Sequence, residues 1–249
     1  MNFDKDEQLI KKRFIELANT ASNKYILTST DFLNLNEQNL FYSILNELPI
    51  INYRFFGGFI NSERKILCFY NEDCEFPISC INIKPKNVKF SNKLTHRDYL
   101  GAIINLGIDR SKLGDIVITD HNAYVFCHDQ IKDYIIENLY QVKNTNIISE
   151  SYNVEEFTYN PKFKEITGTV SSIRLDSILS VAFNISRNKL TDYILAGKVF
   201  VNSKVVISNN YSLKENDIVS VRGLGKFSFI GISYKTKKGR QSIKIHLYT

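Results

Sequence analysis

The order of apolar patterns along this chain predicts an α+β protein in three parts. Three observations carry the prediction. Two amphipathic helical stretches precede a hairpin near the N-terminus. A β-α-β-β-α-β order fills the middle. Two short helices followed by short strands and a terminal hairpin make up the last third. The expected parts are residues 1–76, 77–160 and 170–249.

Each element has a local reason. In residues 5–19, Leu9, Ile10, Phe14, Leu17 and Ala18 share one helical face, opposite Lys11, Lys12 and Glu16. Asn36 is the expected cap of a second helix, Glu37 to Leu48, ended by Pro49. Tyr53 to Ile60 and Lys65 to Tyr70 read as strands about the turn Asn61-Ser62-Glu63. Ile78 to Phe90 alternates, with Pro85 bending it or placing it at an edge. Thr95 is placed to cap a helix from His96 to Leu106, closed by Gly107. Asp115 to Thr119 and Ala123 to His128 flank the turn Asp120-His121-Asn122. Asp129 is the expected cap of a helix to Tyr140, and Asn146 to Asn153 reads as the last strand. That order is ferredoxin-like, the topology of RNA-recognition domains, although topology alone gives no function.

Residues 155–168 read as a connector. Leu175, Ile178, Leu179 and Ala182 then recur at helical spacing. Ser186 is the expected cap of the next helix, with Leu190, Tyr193 and Ile194 inward and Gly197 at its stop. Val199 and Val201 open a hairpin that turns at Asn202-Ser203. Ile218 to Val221 is a further strand. Phe227 to Tyr234 and Ser242 to Leu247 form the terminal hairpin, tipped by Lys235, Lys237, Lys238 and Arg240.

Charge separates these parts. The whole chain is +6, but residues 1–80 are −3, residues 81–165 are neutral, and residues 166–249 hold 13 basic against 4 acidic side chains. A polyanionic partner for the last third is the expected reading. Hydrophobic content of 43% excludes disorder by composition. No apolar run is long enough for a membrane helix, and Met1 to Arg13 does not read as a secretory signal. A cytoplasmic monomer is therefore expected, with Cys68, Cys74, Cys80 and Cys127 as free thiols.

Arg174-Leu175-Asp176 opens one helix, and Ser186-Arg187 with Lys189 opens the next. Gly197-Lys198-Val199-Phe200-Val201-Asn202 leads into the hairpin, and Asn216-Asp217 closes the set. This ordered group resembles the αL RNA-binding domain first seen in ribosomal protein S-four. The resemblance implies a basic surface for structured RNA, with Arg174, Arg187, Lys189, Lys198, Asn202 and Lys204 as contacts. Lys226, Lys237 and Arg240 extend it along the basic hairpin. Arginine and lysine at helix starts sit beside backbone N–H groups that also attract phosphate. A solvated basic face with an Arg174–Asp176 pair is the alternative.

The middle adds His96-Arg97-Asp98-Tyr99-Leu100-Gly101, Leu106-Gly107-Ile108, Arg110 and Gly114-Asp115-Ile116. With the C-terminal domain, these segments resemble the bacterial YlmH family over essentially the whole chain. That resemblance implies non-catalytic binding to ribosomal RNA on the large ribosomal subunit, with peptidyl-tRNA still held there, in quality control of stalled translation. It also implies a link to cell division. His96, Arg97 and Arg110 are candidates for a second RNA contact. Alternatively, Arg97 and Arg110 pair with Asp98 and Asp109. Tyr124 and Phe126 share a strand face and are expected in the core.

Signals for catalysis, metal or cofactor are weak. Cys127 and His128 are adjacent in a strand and point to opposite faces. No Cys-x-x-Cys pair is present. Gly223-Leu224-Gly225-Lys226 lacks phosphate-loop spacing and reads as a turn. The competing class is an RNA-modifying or tRNA-processing enzyme that uses the basic domain to hold substrate, but no matching catalytic segment is recognised. An adaptor binding anionic lipid lacks the basic amphipathic helix it would need.

Overall fold

The computed structural model describes residues 3–88, 93–236 and 239–248. The chain divides into two compact units, Met1–Tyr159 and Asn160–Thr249. The expected boundary near residue 76 falls inside the first.

The first unit begins with α1 (Phe3–Lys24), β1 (Thr28–Ser29), α2 (Leu35–Tyr42), β2 (Asn52–Phe56) and β3 (Ile66–Tyr70). The second helix is shorter than predicted and starts two residues earlier. Asn34 caps it, accepting the Glu37 N–H, while the Glu37 carboxylate accepts the Asn34 N–H. The three strands form one sheet in the order β1-β3-β2. Leu67 and Phe69 pack on Phe14, Leu17, Ala18 and Phe41 from the helices. Ile66 and Cys68, on the other face, look toward a second sheet.

That second sheet contains β4 (Ile78–Pro85), β5 (Leu113–Thr119), β6 (Asn122–His128), β7 (Gln141–Val142) and β8 (Thr145–Tyr152). Their spatial order is β5-β6-β4-β8-β7, all antiparallel. With α3 (His96–Ile104) and α4 (Asp129–Asn138), this is the predicted ferredoxin-like arrangement. The Asp98 carboxylate accepts the Thr95 N–H and hydroxyl at the start of α3. At α4 the cap is His128, whose Nδ1 accepts the Gln130 N–H, and Asp129 is already helical. The predicted continuation of β4 to Phe90 stops at Pro85, and Phe90 itself lies outside the described residues.

Both faces of this sheet are covered. Ile81, Ile83, Val125 and Cys127 pack with Tyr99, Ile103 and Ile135 of the helices. Cys80, Val117 and Phe126 pack with Phe32, Phe59, Ile66, Cys68 and Phe157. Gly58 and Gly114 are required here. A β-carbon on Gly58 would meet the Phe126 ring at 2.2 Å, and one on Gly114 would meet the Phe32 ring at 2.6 Å. Polar ties reinforce the join. The Asp115 carboxylate accepts the N–H groups of Glu63 and Arg64. Lys112 and Asp31 pair at 2.6 Å.

The second unit begins with β9 (Phe163–Val170), which overlaps the end of the stretch read as a connector. Next come α5 (Leu175–Phe183), α6 (Arg187–Leu195), β10 (Val199–Val201), β11 (Lys204–Val205), β12 (Ile218–Val221), β13 (Gly225–Lys235) and β14 (Gln241–Tyr248). One six-stranded sheet runs β11-β10-β12-β13-β14-β9. Its inner face, with Val199, Val219, Phe227, Phe229, Ile243 and Ile245, packs on Leu175, Ile178, Leu179, Leu190 and Ile194. Gly168 faces α5, where a β-carbon would meet Val181 at 2.5 Å.

Candidate nucleic-acid interface

Of the two helices of the second unit, α5 is buried or half-buried along its whole length, whereas α6 buries Leu190 and Ile194 and exposes much of the rest. Asn184, in the left-handed region at φ 54°, ends α5. Ser186 then stands at the N-cap position of α6, but its side chain makes no capping bond. Arg187 and Lys189 are exposed on the first turn of this helix. Two exposed cations therefore flank a helix start that Ser186 does not cap, an arrangement suited to phosphate oxygens.

The other end of α6 brings a second basic group. Gly197, at φ 65°, turns the chain toward β10. The Lys198 N–H donates to the Tyr193 carbonyl at 3.0 Å, and its ammonium lies 5.3 Å from the centre of the Tyr193 ring. The Lys198 carbonyl accepts the Arg222 N–H at 2.9 Å. That bond places the Arg222 guanidinium 5.0 Å over the Phe200 ring. Arg222 was missed in the sequence. The signal was available: Val219 and Val221 alternate inward, so Arg222 continues the outward series beside Lys198.

The remaining predicted contacts divide. Lys204 is exposed on β11, opposite Val201. Arg174 spends Nε and Nη2 on the Asp176 carboxylate, both at 3.0 Å. The alternative pairing reading therefore describes those donors, and the half-exposed side chain keeps its other N–H groups. Asn202 holds the fold. Its Nδ2 donates to buried Asp217 at 2.7 Å and its Oδ1 accepts the Ile218 N–H at 2.9 Å. Lys226 lies 5.2 Å from the centre of the Tyr248 ring, at the far side of the sheet. Arg240 donates to the Thr169 carbonyl at 2.8 Å. Lys237 lies outside the described residues.

In the first unit, His96 and Arg97 are exposed at the start of α3. Arg97 does not take Asp98 as its partner. Lys143 does, at 2.8 Å, and together with the Thr95 N–H it lowers the Asp98 carboxyl to about 2. Arg110 is half-buried and tied to the backbone of its own segment. Its Nη1 donates to the carbonyls of Leu113 and Gly114. Burial, followed by the neighbouring Arg64 charge, lowers its pKa to about 10. Asp109 instead accepts the Ser111 N–H. Tyr124 and Phe126 pack against Phe157, with ring centres 5.0 Å apart in each case, so this sheet face offers no stacking platform.

Cys127 and His128, the pair weighed for catalysis, are both buried. Burial pushes the Cys80 and Cys127 thiols up to about 12, far from nucleophilic thiolates at neutral pH. Burial lowers the pKa of His128. Among the described residues, no group of three or more His, Cys, Asp and Glu is placed to hold a metal ion. Gly223 and Gly225 take positive φ where β12 turns into β13, and no helix follows among the described residues. No helix among the described residues is long and apolar enough to cross a membrane.

Comparison with known proteins matches these two regions separately. Residues 71–156 match the domain described as "Putative RNA-binding domain in YlmH", and residues 173–219 match the S4 domain. Fold and sequence thus define an RNA-binding protein of two folded units. The chain carries a match to the YlmH RNA-binding domain ahead of a match to the S4 domain. It is 29% identical over 243 residues to ribosome-associated protein quality control protein P2 of Bacillus subtilis. That match covers 96% of this chain and 94% of the relative. The structure of the cell division protein ylmH from Streptococcus pneumoniae has a similar fold, with a TM-score of 0.51 and 21% identity. It covers 61% of this chain and 93% of the other.

Proposed function

We propose that this protein is a non-catalytic factor that binds structured ribosomal RNA on the large ribosomal subunit. It acts there while peptidyl-tRNA is still held, in the quality control of stalled translation in the cytoplasm. The observation that carries this reading is the exposed start of α6, where Arg187 and Lys189 flank an N-terminus without a side-chain cap. Lys198 adds an ordered cation at the other end of the same helix. The second unit holds 15 basic against 5 acidic side chains over residues 160–249. A-form duplexes hide their base edges in a deep groove, so such a surface reads phosphate position and shape. The full-length likeness to a ribosome-associated quality control protein supports the setting.

Gradient sedimentation of cell extract tests the proposal. Co-migration with large subunits, lost at raised salt, is the expected result. Migration only at the top of the gradient at low salt would overturn it. Crosslinking with RNA sequencing would separate ribosomal RNA from tRNA as the contacted species.

A further inference from the structure

The six-stranded sheet of the second unit has an outer face that the helices do not cover. Alternation assigns its residues. On β9, Ile166 and Val170 look toward the core and Gly168 faces Val181, so Phe163 and Glu165 point the other way. On β14, Ile243, Ile245 and Leu247 are inward, leaving Lys244, His246 and Tyr248 outward. Phe200 and Lys226 are outward by the same argument on β10 and β13.

This face alternates aromatic rings with cations. Phe163 stacks on His246, with ring centres 3.9 Å apart and an interplanar angle of 12°. Phe163 also stands opposite Tyr248 across the β9–β14 ladder. Lys226 lies over Tyr248, and Arg222 lies over Phe200. The acidic side chain among these residues, Glu165, is paired with Lys244 at 3.1 Å, which lowers its pKa. Phe163 remains 49% exposed although it is a large apolar ring on an edge strand. From β10 to β9 the row crosses four strand spacings, about 19 Å at the usual separation.

We infer that this outer face binds unpaired nucleotides of single-stranded RNA, as a surface separate from the α5–α6 side. The inference rests on the reading that this unit binds RNA. Flat rings supply sequence-tolerant stacking for bases, and cations beside them follow the backbone. A four-stranded sheet with such rings stacks two or three bases in RNA-recognition domains, and the row here is at least as wide. The contrast with the first unit is physical. There the equivalent sheet face is filled by Phe59, Phe126 and Phe157, whereas here the rings border solvent. A duplex fits less well, because it keeps its bases stacked internally and leaves the rings without a partner.

The test uses the full chain with unstructured oligouridine and with a blunt RNA duplex. Phe163→Ala combined with Tyr248→Leu should weaken oligouridine binding by between about 5-fold and about 150-fold, the effect of losing one stacked base. Duplex affinity should stay at the wild-type value. Phe163→Leu keeps the apolar bulk and secures the fold; it should still lose oligouridine affinity. Ultraviolet crosslinking of wild-type protein to bromouridine-substituted oligomer should label Phe163, His246 or Tyr248. Duplex binding by wild type without oligouridine binding would overturn this inference alone. So would an unchanged oligouridine affinity in the aromatic variants, or their loss of duplex binding instead. Wild type that binds neither RNA would overturn both this inference and the RNA-binding reading.

Discussion

Replacing Asn202 with alanine separates support of the fold from contact with RNA. The side chain makes two bonds inside the unit, to Asp217 at 2.7 Å and from the Ile218 N–H at 2.9 Å. The first is charge-assisted and contributes about 1.5–3 kcal/mol; the second contributes about 0.5–1.5 kcal/mol. Asn202 also sits at φ 46°, where a β-carbon without a compensating polar group costs about 1–2 kcal/mol. The contributions are not strictly additive, so a loss of about 3–5 kcal/mol is expected. In a unit of this size each kcal/mol moves the melting temperature by about 4–8 °C. The alanine variant should therefore melt at least about 10 °C lower, followed by circular dichroism on the full chain. Asn202→Gly, which removes the left-handed penalty, should recover about 1 kcal/mol. Duplex RNA affinity, measured well below the transition, should be unchanged. An alanine variant that melts with the wild type but has lost RNA affinity would refute this assignment.

Other outcomes follow from the same geometry. Arg187→Ala and Lys189→Ala should each weaken RNA binding by about 1–3 kcal/mol, reduce the salt slope by about 1, and leave the melting temperature unchanged. Arg110→Ala should behave in the opposite way. It should cost about 1.5–3 kcal/mol of stability by abandoning the Leu113 and Gly114 carbonyls, with unchanged RNA affinity in a titration. The Asp98–Lys143 pair has a signature in acid. Because the folded carboxyl titrates lower than the unfolded one, its stabilisation is present above about pH 4. It is lost as the pH falls toward about 2. The denaturant midpoints of wild type and Lys143→Ala should converge over that window; a gap persisting at its acid end would dismiss the pairing as the cause.

The ferredoxin-like order was legible because its strands alternate cleanly and its helices carry their own stop signals. Pro85 suggested a bent or edge strand, yet β4 lies in the middle of its sheet and is buried on both faces, with Ile78 and Cys80 on one and Ile81 and Ile83 on the other. What periodicity could not identify was the covering element, because Phe32, Phe59 and Ile66 lie far away in sequence. β9 escaped notice for a definite reason. One of its inward positions is Gly168, which makes room for Val181, and this erases the apolar pattern that would mark a strand. At the candidate interface, residue type suggested basic contacts but could not tell a solvent-facing cation from one committed to a partner. Arg187 and Lys189 project from the surface, whereas Arg110 and part of Arg174 are consumed by carbonyls and a carboxylate.

The pairing of β9 with β14 sets when the second unit becomes complete during synthesis. Phe163 stands opposite Tyr248, so the first strand made in this unit waits for the last. The segment matched by the S4 domain, residues 173–219, leaves the polymerising centre before β13 and β14 exist. Until those strands arrive, Leu175, Ile178 and Leu179 lack Phe227, Phe229 and Ile245 as neighbours. A fragment cut to the matched segment would inherit that unfinished condition permanently. An excised unit that retains its core must instead begin before Phe163 and run through Tyr248.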